Sequence, residues 1–165
     1  MSQSPATVTA YIGLGSNLGD AIDNVTRAMT RLAAMPMSKL DLQSSLFCSA
    51  PVDAEGDDFV NAVVRLQTGL TAFDLLCELQ QIESDFGRER PYVNAPRTLD
   101  LDILLYGDQI INSAALVVPH PRLAQRAYAL IPLLQIEPFA TIPGLGPAHS
   151  FVPDVVHQKI SKVSG

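Results

Sequence analysis

Alternation of apolar and polar residues predicts four β-strands, because successive side chains of a strand point to opposite faces of a sheet. The predicted strands cover residues 7–14, 40–49, 59–68 and 99–106. In the third strand, Val60, Ala62 and Val64 share one face, while Asn61 lies on the other. Residues 88–98 carry two prolines and no such period, so they are predicted to form a loop.

Apolar residues spaced three and four apart predict helices between the strands. The first helix follows the break at residues 15–19 and ends at Pro36. Its apolar face comprises Ile22, Val25, Met29, Leu32 and Ala33. The second begins at Thr71, which forms a capping-box pair with Asp74. Its apolar stripe comprises Phe73, Leu76, Leu79, Ile82 and Phe86. A helical stretch over 122–135 and a short helix opening at Pro153 are predicted beyond the fourth strand.

The predicted order is strand, helix, strand, strand, helix, strand, which is typical of the ferredoxin-like split β-α-β fold. We therefore predict an α+β protein with a βαββαβ core, in which helices pack on an antiparallel sheet, followed by a C-terminal extension. The chain shows no internal repeat or linker, so residues 1–165 are expected to form one domain.

Composition narrows the classes of protein that the chain can belong to. Of the 165 residues, 47% are hydrophobic and 17% are charged, which excludes intrinsic disorder. The net charge of −6 excludes a wholesale nucleic-acid binder. No apolar run reaches the length of a membrane span, and no signal peptide is expected. Two cysteines make no disulfide framework, which indicates the reducing environment of the cytoplasm. We further predict a monomer that binds small molecules.

The strongest candidate site is the pair Asp100 and Asp102 in the fourth strand. Residues i and i+2 of a strand share a face, so the two carboxylates would lie roughly 6–7 Å apart. Their mutual repulsion is relieved by a divalent cation, and magnesium takes oxygen ligands from carboxylates, waters and phosphates. The alternative is an exposed strand face that bears two solvated acids.

Arginines are concentrated beside this pair, since five of the eight lie between residues 88 and 126. Arg88, Arg90 and Arg97 fall in the predicted loop, which suits phosphoryl transfer because that chemistry depends on positioning and on neutralising phosphate charge. Loops 50–58 and 88–97 are predicted to close over bound substrates. The alternative interpretation is that these arginines are surface charges paired with nearby acids such as Glu83.

Several further residues have both a binding and a purely structural interpretation. Gln80 and Glu83 lie one helical turn apart and can bond a base or ribose, or they can form an exposed helix face. Asn61 can read the edge of a heterocycle, or it can be satisfied by neighbouring backbone. His120, between two prolines, can donate to a phosphate or serve only in a turn. The glycines of residues 13–19 follow GxGxxxG spacing, and we interpret them as a tight strand-to-helix turn rather than a dinucleotide fingerprint.

Taken together, five motifs resemble the family of 6-hydroxymethyl-7,8-dihydropterin pyrophosphokinases of folate biosynthesis. The motifs are Gly13-Leu14-Gly15-Ser16-Asn17-Leu18-Gly19, Phe59-Val60-Asn61-Ala62, Gly87-Arg88, Pro96-Arg97-Thr98-Leu99-Asp100-Leu101-Asp102-Ile103 and Val118-Pro119-His120-Pro121-Arg122. The PRTLDLDI run is highly specific, and the match covers about residues 7–145 in consistent order. The resemblance implies transfer of pyrophosphate from the co-substrate ATP to the hydroxymethyl group of the pterin, with release of AMP.

The resemblance also implies a role for individual residues. It places two magnesium ions on Asp100 and Asp102, with Arg88 and Arg97 as further catalytic groups. Nucleotide-side positions are Gln80, Glu83, Arg88, Arg90, Arg97, Ile103, His120 and Arg126. Pterin-side positions are Ser49, Ala50, Val52, Phe59, Asn61 and Tyr128, with Phe59 and Tyr128 placed to sandwich a flat ring.

The sequence departs from the family pattern at three positions on the nucleotide side. Asn94 stands where many members carry tryptophan, and Ala115 and Val117 replace an arginine and a threonine. These changes affect the expected nucleotide contacts and leave the metal site intact. Two other classes stay open: a Rossmann-like dinucleotide enzyme, and a non-catalytic ferredoxin-like module that binds a ligand without forming AMP.

Overall fold

The centre of the fold is a six-stranded antiparallel sheet. The computed structural model describes residues 7–17, 20–49, 59–87 and 99–163. Its strands are β1 (Val8–Ser16), β2 (Ser38–Gln43), β3 (Phe47–Ser49), β4 (Phe59–Thr68), β5 (Asp100–Tyr106), β6 (Ile111–Asn112), β7 (Val117–Val118), β8 (Thr141–Ile142), β9 (Gly146–Pro147) and β10 (Ile160–Lys162). The main sheet runs β10-β3-β4-β1-β5, and β2 pairs with the second half of β4. Two hairpins, β6-β7 and β8-β9, lie outside it.

The described ranges contain four α-helices beside the sheet: α1 (Ala21–Ala33), α2 (Ala72–Gly87), α3 (Ala127–Ile136) and α4 (Val152–Val155). Side-chain oxygens cap the first two, and the Thr71 cap of the second is the one that the sequence predicts. The Asp20 carboxylate accepts from the Asp23 N–H at 3.1 Å, and the Thr71 hydroxyl accepts from the Asp74 N–H at 3.1 Å. Each bond satisfies an N–H that has no partner within its helix.

The sheet is covered on both faces, and the two covers differ. On one face, which we call the helix face, strand residues such as Ile12, Val64 and Leu101 pack against α1 and α2 in one continuous apolar cluster. On the other, the pocket face, Val63 and Leu104 pack against α3 and against residues that follow it. The predicted class, helices packed on an antiparallel sheet, is thereby confirmed. Every strand pair within the described ranges is antiparallel, which argues against the Rossmann-like alternative.

Most predicted strands form, with two local departures. The strand predicted over 40–49 is interrupted by Ser44, whose hydroxyl accepts from the Val63 N–H at 2.9 Å in place of a main-chain carbonyl. In β5, the register against β1 shifts between Tyr11 and Ile12, which leaves Leu104 as an extra residue. Strict alternation would place Leu105 on the same face as Ile103, but because of this bulge it packs on the pocket face instead.

The predicted helices differ from the structure in their terminal residues and, for the stretch 122–135, in their bounds. Ile22 and Phe73 were expected on the apolar faces, yet they are 44% and 46% exposed because each lies in the first turn, beyond the edge of the sheet core. Ala33, at the end of α1, is exposed as well. The stretch 122–135 is not one helix, because Arg126 is extended and separates a 3₁₀ turn at Leu123–Gln125 from α3. No helix in the described part of the chain is both long and apolar enough to cross a membrane.

Candidate active site

A pocket of about 370 Å³ opens on the pocket face. It lies at the end of the sheet where the last residues of β1 are flanked by the first residues of β4 and β5. It collects residues from four strands, from the segment before α3 and from α3 itself. Its lining consists of Gly13, Leu14, Gly15, Ser49, Phe59, Asn61, Asp100, Asp102, Leu104, His120, Arg122, Leu123, Arg126, Tyr128 and Ala129. Eight of the residues that the sequence predicts for a site therefore meet in one cavity, although they are up to 79 positions apart between Ser49 and Tyr128.

Glycines form the floor of the pocket. Gly13 and Gly15 lie within β1, opposite Val63 and Asn61, so the predicted turn at residues 13–19 does not begin at Gly13. A Cβ on Gly15 would lie 3.0 Å from the Asn61 side-chain nitrogen. Gly13 thus lies in a strand, as the strand predicted over 7–14 has it, whereas the break predicted from Gly15 comes later, because β1 continues to Ser16. Both glycines line the cavity, a role beyond the turn assigned to them.

Asn61 is a buried amide with a fixed orientation. The Ser49 hydroxyl donates to its carbonyl oxygen at 2.8 Å, and both side chains are buried. That bond leaves the amide NH₂ toward Gly15 and the cavity, where Asn61 is part of the lining. Asn61 therefore presents two donors to any flat heterocycle in the pocket, with its acceptor held by Ser49.

Asp100 and Asp102 both line the pocket, as their spacing in β5 predicts. Asp102 is exposed and Asp100 is partly buried. Both carboxylates are oxygen donors of the kind that magnesium prefers. Across the described ranges there is no cluster of three or more His, Cys, Asp or Glu residues suited to a metal. The donor set thus fits an ion that takes two carboxylates from the protein and its other ligands from water and phosphate.

His120 is oriented by the backbone. Its Nδ1 accepts from the Arg122 N–H at 3.1 Å, so in the neutral ring the proton resides on Nε2. Burial lowers the pKa of His120, Asp102 opposes that shift, and Arg126 and Arg122 lower the pKa further. At neutral pH the residue is therefore an uncharged donor rather than a cation.

Arg126 and Tyr128 form the wall of the pocket at the start of α3. The Arg126 guanidinium carbon lies 5.4 Å from the centre of the Tyr128 ring, within cation–π range. Burial raises the pKa of Tyr128, so its phenol keeps its proton at neutral pH. The wall consequently offers one cation and one aromatic surface side by side.

Three predicted nucleotide-side residues do not line the cavity. Gln80 is exposed on α2, and Ile103 is 3% exposed in the core of the helix face. The Glu83 carboxylate accepts from the Leu101 N–H at 2.8 Å, so it supports the outer edge of β5. Of the substituted positions, Ala115 and Val117 are exposed.

Several predicted residues lie outside the described ranges. They are Ala50, Val52, Arg88, Arg90, Arg97 and the substituted Asn94, together with loops 50–58 and 88–97. Sequence reasoning in turn assigned no site role to Gly13, Gly15, Arg122 or Leu104, which line the pocket. The glycines interrupt an otherwise regular strand alternation, and that interruption is the signal that could have identified them.

Comparison with known proteins gives a consistent set of similarities. Residues 11–138 match the family model described as 7,8-dihydro-6-hydroxymethylpterin-pyrophosphokinase (HPPK). A 2-amino-4-hydroxy-6-hydroxymethyldihydropteridine pyrophosphokinase of Haemophilus influenzae is 39% identical over 137 residues, which cover 82% of this chain and 86% of that protein. The enzyme of the same name from Pseudomonas aeruginosa is 40% identical over 134 residues, with 81% and 83% covered.

Solved structures agree on the fold. The crystal structure of wild-type Plasmodium falciparum HPPK-DHPS with pteroate aligns with a TM-score of 0.74 over 95% of this chain at 14% sequence identity. The alignment covers 44% of that longer chain. A second structure of the Plasmodium falciparum protein, the A437G variant with pteroate, aligns with a TM-score of 0.75 over 94% of this chain and 42% of its own.

Proposed function

The chain belongs to the 7,8-dihydro-6-hydroxymethylpterin-pyrophosphokinase family, and we propose that it performs the family's reaction in the pocket lined by Asn61, Asp102 and Tyr128. It is a kinase-type transferase of folate biosynthesis that moves pyrophosphate from ATP to the hydroxymethyl group of 6-hydroxymethyl-7,8-dihydropterin. The observation that carries the assignment to this pocket is the meeting of a fixed amide donor and a carboxylate pair in one cavity.

The pterin occupies the end of the pocket nearest Asn61. A flat bicycle needs an apolar slot with a few oriented polar groups. Phe59 and Tyr128 line the cavity and supply aromatic surfaces, while the Asn61 NH₂, held by Ser49, meets acceptors on the edge of the ring. Ala50 and Val52 complete this half of the site.

The phosphates of ATP occupy the end of the pocket nearest Asp100 and Asp102, and these carboxylates hold two magnesium ions. Magnesium, when bound, neutralises phosphate charge. Arg126 and the neutral Nε2–H of His120 bond phosphate oxygens from the opposite wall. Arg88, Arg90 and Arg97 add further charge-assisted bonds, with Arg88 and Arg97 acting on the transferred group.

The adenosine lies along the outer edge of β5. The Leu101 N–H points to that edge, because it bonds Glu83 on α2 rather than β1. Main-chain groups two residues apart in a strand point the same way, so Ile103 offers its N–H and C=O to a base there even though its side chain is buried. Gln80 and Glu83, both on α2, are the side chains that we propose contact the ribose or base.

The chemistry requires alignment more than covalent help from the protein. The hydroxymethyl oxygen of the pterin attacks the β-phosphorus in line, forming the new O–P bond. The bond from that phosphorus to the oxygen shared with the α-phosphate breaks, AMP leaves, and the hydroxyl proton is lost to solvent. Side chains of the pocket hold the two substrates at the distance and angle that this displacement needs.

We further infer that the core is ferredoxin-like and that residues after β5 form its C-terminal extension. The strand order β3-β4-β1-β5 supports this, since it places the first and third predicted strands at the centre. We propose that residues 1–165 act as one domain, as a cytoplasmic monomer. Small molecules are its only proposed partners.

A direct assay of AMP formation tests the proposal. Purified protein, ATP, magnesium and the hydroxymethyl dihydropterin should yield AMP and the pterin pyrophosphate in equal amounts, and EDTA should stop the reaction. Omission of the pterin serves as the control for simple ATP hydrolysis. Tight pterin binding without AMP would favour the non-catalytic module, and NAD binding that needs no magnesium would favour the dinucleotide enzyme.

A further inference from the structure

The side chain of Gln158 hydrogen-bonds the backbone on both sides of Arg126, a residue that lines the pocket. Its carbonyl oxygen accepts from the Ala127 N–H at 2.8 Å, and its NH₂ donates to the Gln125 C=O at 2.8 Å. Gln158 is only partly buried and does not line the pocket. It therefore fixes the path of residues 125–127 from outside the cavity.

These two bonds occupy a place where the helix supplies no cap of its own. Ala127 is the first residue of α3, and Arg126 before it is extended and makes no side-chain capping bond. The first N–H groups of a helix have no partner within it. Gln158 thus acts as a cap for α3 from 31 residues away along the chain.

The residues on either side of Ala127 are those that the proposed function assigns to the two substrates. Arg126 faces the phosphates and Tyr128 faces the pterin, and their side chains contact each other at 5.4 Å. One shift of this backbone moves both groups together. Displacements of about 1 Å in a positioning group can lower turnover by about 10²-fold.

The segment that carries Gln158 also supports the opposite wall. Two residues later, Ile160 pairs with Ser49 as β10 joins β3, and the Val163 N–H donates to the Leu46 C=O at 2.8 Å. Ser49 in turn orients Asn61. Gln158, Ile160 and Val163 all lie beyond residue 138, where the family match ends.

We propose that Gln158 is a positioning residue for the reaction, which sets Arg126 and Tyr128 relative to the Ser49–Asn61 pair. The inference rests on the proposed function, because it needs Arg126 on the nucleotide and Tyr128 on the pterin. Gln158 acts through the backbone of α3 and touches neither substrate. Its loss therefore impairs both substrates at once, unlike the loss of either pocket side chain.

Steady-state kinetics of Gln158→Ala tests this proposal, with Tyr128→Ala measured in parallel. We expect KM to rise for both ATP and the pterin in Gln158→Ala, with kcat/KM about tenfold lower. Tyr128→Ala should raise KM chiefly for the pterin. Gln158→Glu should recover only part of the loss, because it keeps the acceptor for the Ala127 N–H but has no donor for the Gln125 C=O.

The matched control is Gln135→Ala. Gln135 makes the same two kinds of bond at the other end of α3, accepting from the Ser45 N–H at 2.6 Å and donating to the Ser45 hydroxyl at 2.8 Å. It should lower thermal stability as Gln158→Ala does but leave both KM values unchanged. Equal kinetic effects of the two variants, or wild-type KM values in Gln158→Ala beside an impaired Tyr128→Ala, would overturn the positioning role. Wild-type kinetics in Tyr128→Ala would overturn the pocket assignment itself, and the inference with it.

Discussion

The two faces of the sheet are built from the same strands but have different contents. The helix face is apolar from Ala10 and Leu14 in β1 to Leu66 in β4, with the buried polar residues Ser16 and Thr68 beyond these at the strand ends. The pocket face is apolar in its middle, where Val63 meets α3. At one end it carries the glycine, amide and carboxylate groups of the cavity, and at the other end it carries the Arg65–Asp41 pair. The helix face therefore serves to stabilise the fold, while part of the pocket face forms a cavity with polar walls in place of apolar packing.

Polar groups in the cavity contribute less to stability than apolar packing would, and the apolar packing of the helix face offsets this loss. A buried polar group such as Asn61 must be hydrogen-bonded, and it is, through Ser49. Within the described residues, no buried side-chain nitrogen or oxygen lacks a partner. We therefore predict that substitutions in the cavity on the pocket face lower activity more than stability, and that substitutions on the helix face lower stability more than activity.

The largest effect is expected from Asp102→Ala on the pocket face. Loss of one of the two carboxylates that we propose hold magnesium should lower turnover on the order of 10²–10³-fold. Asp102 is exposed, so the free energy of unfolding should change by less than about 0.5 kcal/mol. Turnover assays and urea denaturation measure the two quantities. Asp108→Ala, an exposed carboxylate in the turn after β5, is the control and should keep full activity. Magnesium-dependent wild-type turnover in Asp102→Ala would refute the assignment.

On the helix face, Leu79→Ala should show the opposite pattern. Leu79 is 0% exposed against the sheet, and such truncations remove roughly 2–5 kcal/mol of stability. Turnover per folded molecule should stay close to wild type at a temperature where the variant is folded. Leu145→Ala, at a residue 61% exposed, provides the comparison and should change stability little. Loss of turnover in folded Leu79→Ala would mean that the two faces are not separable.

A smaller and more selective effect is expected from Gly15→Ala. The new Cβ would lie 3.0 Å from the Asn61 side-chain nitrogen, so the amide must move. We expect KM for the pterin to rise about tenfold while KM for ATP stays near its wild-type value. In the control Gly69→Ala, the Cβ would meet the flexible end of Met37 at 3.1 Å, away from the pocket. An unchanged pterin KM in Gly15→Ala would show that Asn61 does not read the ring.

Sequence reasoning found the regular parts of this architecture and the polar residues that interrupt it. β4 occupies residues 59–68 as predicted, and Asp100 and Asp102 share the cavity as their spacing requires. Strand alternation is a local property, so it can be seen in one sequence. The β5 bulge depends on pairing with β1, which explains why Leu105 was placed on the wrong face.

Groups that act through distant contacts could not be predicted. Gln158 reaches Ala127 across 31 positions, and nothing in its local sequence marks it. Glu83 was predicted to bond a nucleotide from its place on α2, but its bond to the Leu101 N–H follows from tertiary packing. Gly13 and Gly15 were interpreted as a turn because glycine is frequent in turns, whereas here they leave room for the cavity.

The smallest effect is expected at the far end of the pocket face, from Asp41→Asn. The Arg65 guanidinium bonds both Asp41 oxygens, at 3.0 and 3.1 Å, and this bonding lowers the pKa of Asp41 below its ordinary value. Both side chains are partly exposed, so the pair should contribute about 1 kcal/mol.

This contribution should depend on pH in a defined direction. A carboxyl group whose pKa is lower in the folded protein stabilises the fold above its unfolded pKa of 3.8 and loses that effect as pH falls through the folded value. Urea denaturation should therefore give a constant difference between wild type and Asp41→Asn from pH 7 to about pH 5. The difference should shrink below about pH 4. A difference that is independent of pH down to acid unfolding would contradict the ion-pair origin.

The position of β1 has a consequence for how the chain is made. β1 comes early in the sequence but is an interior strand of the sheet, with Ile12 paired to Val64 of β4 on one side and to Ile103 of the edge strand β5 on the other. A ribosome that has released only the first 90 residues presents β1 with one edge unpaired, and an apolar strand with a free edge tends to aggregate. Folding is therefore governed by the closure of long loops rather than by local helices. Until β5 has emerged, this edge of β1 stays open to pairing with another chain.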